Sequence, residues 1–191
     1  MSAAQYVLRY LELFAAFASL YWFINGGGTE AAILFVVSLG TFITQDTWWS
    51  IRAEERKRNR KKDKKLFDEL LQLITSDNLY FLKNHGHDDS FDDSQIKGIT
   101  RFVDAWNHVE REFIDSQLER LRKDFYRDIS KYVFTMSGYT FSDRYGIRRL
   151  SEELFYRDEG KWYAQEKELN EQATEAAQSL EALIRAGRKK L

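Results

Sequence analysis

The sequence contains no cysteine among its 191 residues. Disulfides, thiolate nucleophiles and cysteine-ligated zinc are therefore excluded as sources of stability or chemistry. Proline is absent as well, where average usage of about 5% would supply roughly ten. With glycine the only strong helix breaker left, the chain is expected to be helical almost throughout. Net charge is nearly lacking too, since 29 Lys and Arg face 30 Asp and Glu for a formal charge of -1. Serine nucleophile elbows, phosphate-binding loops and dinucleotide fingerprints are all missing, so the commonest enzyme signatures do not apply. No cofactor is expected. The length suits one domain plus an appendage.

The balanced charge hides a strong segregation. Residues 1–51 carry one base and three acids, residues 52–65 nine bases and three acids, and the remainder 19 bases and 24 acids. The segment charges are thus -2, +6 and -5. Tyr6 to Ile24 is apolar except for Arg9, Glu12 and Ser19, and a second apolar segment runs from Ala31 to Ile51. As helices, these 19 and 21 residues each reach about 30 Å, the hydrocarbon thickness of a bilayer. Gly26, Gly27 and Gly28 form a short turn between them, which predicts an antiparallel transmembrane hairpin. Tyr21 and Trp22 near one end, and Trp48 and Trp49 near the other, fit interfacial aromatic belts. The alternative is a soluble helical hairpin packed on the rest of the chain. In its favour, the second segment is uninterrupted only from Ala31 to Ile43, and Glu12 is costly at depth. Against it, the segments are apolar almost all round, where a surface helix keeps a polar face.

Arg52, Arg56, Lys57, Arg58, Arg60, Lys61, Lys62, Lys64 and Lys65 follow directly. By the positive-inside rule they place that end in the cytoplasm, so both termini of a two-span hairpin are expected there, at a bacterial inner membrane. The start MSAAQY lacks a basic region and a small-residue cleavage site, which reads as a retained span and not a signal peptide. The basic run is expected to contact anionic headgroups, at about 1 kcal/mol per Lys or Arg. Nucleic acid is the weaker reading, because no aromatic residue is interleaved between Ile51 and Leu66. Arg9, Glu12 and Asp46 fall at similar depth in such a hairpin and form a candidate charge cluster, with Arg9 paired to Glu12, Asp46 or both. Separate snorkelling of these charges is nearly as good a reading.

From Leu66 to Leu191 the periodicity predicts a cytosolic helical bundle, so the fold class is all-α. Leu66, Phe67, Leu70, Leu71 and Ile74 make one apolar face, and Leu79 to Leu82 a short helical turn. Ile96, Ile99, Phe102, Val103 and Trp106 mark a helix that Asp92, Asp93 or Ser94 caps. The longest stripe, Ile114, Leu118, Leu121, Phe125, Ile129, Tyr132 and Met136, predicts a helix of about 28 residues. Residues 138–160 read as irregular, without strands. Trp162, Leu169, Ala173, Ala176, Leu180, Leu183 and Gly187 mark a last long helix. The Trp and Phe positions in these stripes are expected to be core.

Phe102 and Trp106, followed by Glu110, Glu112, Phe113, Asp115, Leu118, Glu119 and Arg122, form a pattern that resembles a family of small uncharacterised bacterial proteins. Glu168, Leu169 and Asn170, and the closing Gly187, Arg188, Lys189, Lys190 and Leu191, match as well. The resemblance covers roughly residues 66 to 191 and implies a helical cytosolic domain with no assigned activity. Members often carry prolines before the last helix, and this chain has none. In layout alone, the two spans are similar to the membrane effectors of bacterial antiphage systems such as CBASS and retrons.

Two constellations could carry chemistry. His85, His87, Asp88 and Asp89, with Asp92 and Asp93 close behind, gather imidazoles and carboxylates suited to a divalent cation. The EF-hand glycine and terminal glutamate are absent, so helix-capping aspartates in a solvated loop are the plainer reading. Arg101 and His108, in R-FVDAWN-H, have spacing that resembles the Arg and His pair of HEPN ribonucleases. If both lay on one helical face, Arg would hold phosphate while His moved a proton. A solvated or structural pair is the commoner outcome for such a spacing. The leading functional expectation is a membrane-acting effector of a bacterial defence system, whose bundle senses or oligomerises. The alternatives are a non-enzymatic membrane-tethered interaction subunit and a membrane-anchored ribonuclease using Arg101 and His108. A protein partner or a second copy of the chain is expected for either non-enzymatic reading.

Overall fold

A computed structural model describes the backbone of residues 3–26 and 28–191, with side chains described except at 3–6, 8, 9 and 43–47. The described chain is 81% helical and belongs to the all-α class. It divides into two compact units, Met1–Arg58 and Asn59–Leu191.

The first unit contains α1 (Ala3–Ile24) and the beginning of α2 (Gly28–Leu73). After Ile24, the Asn25 amide side chain donates to the Tyr21 carbonyl at 2.8 Å and Gly26 takes a positive φ of 94°. The apolar segment, the basic run and the helix beginning at Leu66 are one helix, α2, of 46 residues. No proline interrupts it, and Arg and Lys propagate a helix nearly as well as Ala. The division between units therefore falls inside the basic run, at Arg58, with no break in the helix.

The second unit adds α3 (Ser76–Asn84), β1 (Phe91–Asp92), α4 (Asp93–Ala105) and a 3₁₀ turn (Val109–Arg111). It continues through α5 (Ser116–Tyr139), β2 (Thr140–Ser142), β3 (Ile147–Leu150), α6 (Glu152–Arg157) and α7 (Glu159–Lys190). Three elements correct the expectation of an irregular stretch without strands at 138–160. β2 and β3 are antiparallel, with Thr140 opposite Leu150 and Ser142 opposite Arg148, and β1 pairs on the far edge of β3. The turn between them is built by Asp143, whose carboxylate accepts the amides of Tyr145 (2.8 Å) and Ile147 (3.0 Å). Gly146 supplies the positive φ of 81° that an L side chain would resist. Strands of two to four residues are too short to show an alternating pattern.

The core is one cluster. Leu118, Phe125, Ile129, Tyr132 and Met136 on α5 meet Leu169, Ala173, Ala176, Leu180 and Leu183 on α7, all essentially buried. These are the expected stripes, except that α5 begins at Ser116, leaving Ile114 exposed before it, and Trp162 is only half-buried. Phe102 stacks between Trp106 (5.3 Å) and Phe125 (4.8 Å), bringing α4 onto α5. Gly187 lets α7 approach α2, because a Cβ there would press into the Phe67 ring.

Candidate functional sites

The first unit inverts the usual distribution of side chains. Its buried positions, among the described residues, are the small Ala16, Ser19 and Ala31, while its large apolar groups face outward. Among the described residues, 17 of the 25 exposed large hydrophobic side chains lie between Val7 and Ile51. A soluble monomer rarely leaves an apolar surface so extended in water, and small residues at shielded positions are the habit of helices packed in lipid. At the end of this surface the Arg52 guanidinium lies 3.5 Å over the Trp48 ring, and Trp49 meets Trp48 edge-on at 5.6 Å. Even so, among the described residues no helix is long and apolar enough to cross a membrane. The expected spans are present as helices, but Glu12 interrupts the first, and the second runs directly into the charged residues that follow Ile51. The side chains of Arg9 and Asp46 lie outside the described residues, and Glu12 is half-exposed on α1.

All nine bases of the run from Arg52 to Lys65 are exposed. Lys64 and Lys65 form helical ion pairs with Asp68 (3.5 Å) and Glu69 (3.9 Å), while Arg60 donates to the Leu191 carbonyl at 3.1 Å. Asp63 behaves differently from its neighbours. It is only 3% exposed and accepts the amides of Ile114 (2.7 Å) and Asp115 (2.9 Å). A charged run thus conceals a structural acid, which fixes the loop before α5 by satisfying amides that precede a helix. Its place, three before Leu66 and four before Phe67 on the buried face of α2, was the one signal available in the sequence.

In the loop after α3, the metal candidates His85, His87, Asp88 and Asp89 do not gather into a ligand set. Among the described residues there is no group of three or more His, Asp or Glu placed to hold a metal ion. His87 turns inward to 1% exposure, where Nδ1 lies 2.8 Å from the Asn170 Oδ1 and Nε2 lies 2.8 Å from the Tyr132 hydroxyl. The same Asn170 oxygen accepts the His87 backbone amide, and the Asn170 nitrogen donates to Glu166 at 2.8 Å. That polarity assigns the proton to Nδ1 and makes Nε2 an acceptor for the Tyr132 O–H. Burial pushes the His87 pKa down to about 4, against the opposing effect of the hydrogen bond that Nδ1 donates to Asn170. Burial also raises Tyr132 and lowers His85, the latter despite the nearby carboxylates of Asp89 and Asp88. His87 is therefore a neutral bridge between the loop, α5 and α7. Asp92 takes the capping role expected of this region, accepting the Ser94 amide at 2.7 Å.

The Arg101 and His108 pair loses its geometric premise. α4 ends at Ala105, so His108 does not continue the helical face of Arg101 and instead precedes the 3₁₀ turn. The helix stops because Trp106 folds into the core and its carbonyl is captured by Arg122 Nη1 at 2.7 Å. Arg122 also grips both oxygens of Glu119, at 2.9 and 2.7 Å, and Glu119 accepts the Phe113 amide. Burial alone would raise the Glu119 pKa, but the Arg122 and Phe113 hydrogen bonds hold it below the usual value. Trp106, Phe113, Glu119 and Arg122 thus form one structural knot between α4 and α5. Asp115, beside this knot in sequence, caps α5 and pairs with Lys190 at 2.6 Å.

No family model matches the chain, and no curated protein or solved structure matches it.

Proposed function

We propose that this chain is a bilayer-anchored helical protein, whose first unit seats its apolar flank in lipid and whose second unit is a non-catalytic interaction domain. The observation that carries the reading is the outward-facing apolar surface between residues 7 and 51, where the buried positions among the described residues are small. At about 25 cal/mol per Å² of apolar surface removed from water, transfer of even part of this surface into hydrocarbon outweighs the cost of one carboxylate. The Trp48–Arg52 stack marks the interface, and the exposed bases after it suit anionic headgroups. The arrangement that fits this charge pattern is an apolar hairpin seated in the interface of a bacterial inner membrane, with the bases after Ile51 on the cytoplasmic side. A second reading makes the anchored protein an effector that perturbs the bilayer, as in an antiphage system; Glu12, held amid the apolar residues of α1, favours it.

The test is flotation of the purified full chain on vesicles with and without anionic lipid, beside a chain lacking residues 1–51. The full chain should float with the vesicles, and the shortened one should stay behind. A full chain that remains in the dense fraction on anionic vesicles would overturn the reading. Membrane potential in expressing bacteria separates the two forms, since only the effector depolarises them.

A further inference from the structure

α6 turns only Leu154 into the core, leaving Phe155 half-buried and Tyr156 at 86% exposure. With Trp162 from the first turn of α7, these rings line a hollow of about 270 Å³ beside the loop after α3. The Phe155 ring stands nearly perpendicular to both neighbours, 81° to Tyr156 at 5.6 Å and 82° to Trp162 at 5.3 Å. Rings crossed in this way present their electron-rich faces along more than one direction, as a single stacked pair does not.

The charges around the hollow are unequal. Arg149 is held by Glu152 at 2.8 Å, and Asp88 and Asp89 also line the hollow. Both are exposed, and neither has an ion-pair partner among the described residues. An anion would meet these two carboxylates. A neutral apolar guest would desolvate them without compensation. A hard metal ion needs a shell of oxygen ligands, and no such group is present among the described residues. A cation with an apolar shell satisfies both surfaces, because ring faces attract it and it surrenders little hydration. The volume admits a small guest only.

We propose that this hollow binds a small alkylated ammonium ion of the choline type, with Phe155 and Trp162 supplying ring faces and Asp88 and Asp89 the countercharge. The site is independent of the anchoring of residues 1–51. Its ligand is either a free solute or the headgroup of a choline lipid.

Calorimetric titration of the full chain in a choline-free detergent tests this, using choline, phosphocholine and the neutral isostere 3,3-dimethylbutanol. Choline should bind, and the isostere roughly tenfold more weakly, as a desolvated cation–π contact implies. Trp162→Leu should weaken choline by about tenfold while leaving the isostere unchanged. The double variant Asp88→Asn with Asp89→Asn should weaken choline and leave the helical circular dichroism intact, since both side chains are exposed. Tighter phosphocholine than choline identifies the lipid headgroup as the source, and the reverse a free solute. Equal affinity for choline and isostere, binding insensitive to every variant, or no choline heat from the folded chain would each overturn the proposal.

Discussion

His87 makes the stability of the second unit depend on pH in a window that it shares with His85, whose pKa burial also lowers in wild type and variant alike. In the unfolded chain the imidazole takes up a proton near its ordinary value of 6.5, whereas in the folded protein burial delays this to about 4. Between those limits the unfolded state binds the extra proton, so stability rises with pH. The contribution is complete above 6.5 and disappears as pH falls toward 4. A separation of 2.5 pH units between 6.5 and about 4, at about 1.4 kcal/mol per unit, corresponds to about 3 kcal/mol, of which about 2 are lost by pH 5. The assay is urea unfolding of the full chain in detergent at pH 7.5, 6.5, 5.5 and 4.5, beside His87→Gln. The variant should be weaker at pH 7.5, because Tyr132 and Asn170 lose a partner, at roughly 1–3 kcal/mol. Its stability should then fall much less than the wild type's between pH 6.5 and 5. Asp93, Asp115, Glu119 and Glu181 also have lowered pKa values, each held down by bonded cations or amides. They lose stability at lower pH, equally in both proteins. Parallel decline of wild type and variant between pH 7 and 5 would refute a buried neutral His87.

Two further substitutions probe the packing. Gly187→Ala should destabilise the second unit by about 1–3 kcal/mol, because its Cβ meets the Phe67 ring; an unchanged unfolding midpoint would contradict the close approach, and Phe67→Leu should rescue it. Arg122→Met should cost about 3–5 kcal/mol by stranding the Glu119 carboxylate beside the core; adding Glu119→Gln should recover part of the loss, and if it recovers none the two residues are not coupled.

The helices α5 and α7 were legible because long stripes at spacings of three and four leave one solution, burial of that face. A cap among Asp92, Asp93 and Ser94 was legible for a local reason, since such side chains reach amides two or three residues on; the structure selects Asp92. The Arg101 and His108 pair failed for a tertiary reason. Helical spacing presumes a continuing helix, and Trp106 ends that helix by entering a core that Arg122, on another element, helps to close. The metal reading of His85, His87, Asp88 and Asp89 failed similarly. A histidine among aspartates looks solvated in sequence, and only the arrival of Tyr132 and Asn170 from α5 and α7 provides an apolar site with two neutral partners. Asp63 is the converse case, an apparent surface acid whose partners lie some fifty residues away.

The sequence by itself determined what depends on near neighbours along the chain: helix without proline, apolar segments, a basic run, and the faces that must be buried. Tertiary structure alone decided which polar side chains are structural and which remain free. That choice is set by desolvation and by partners distant in sequence, which exist at those positions only once the helices have packed.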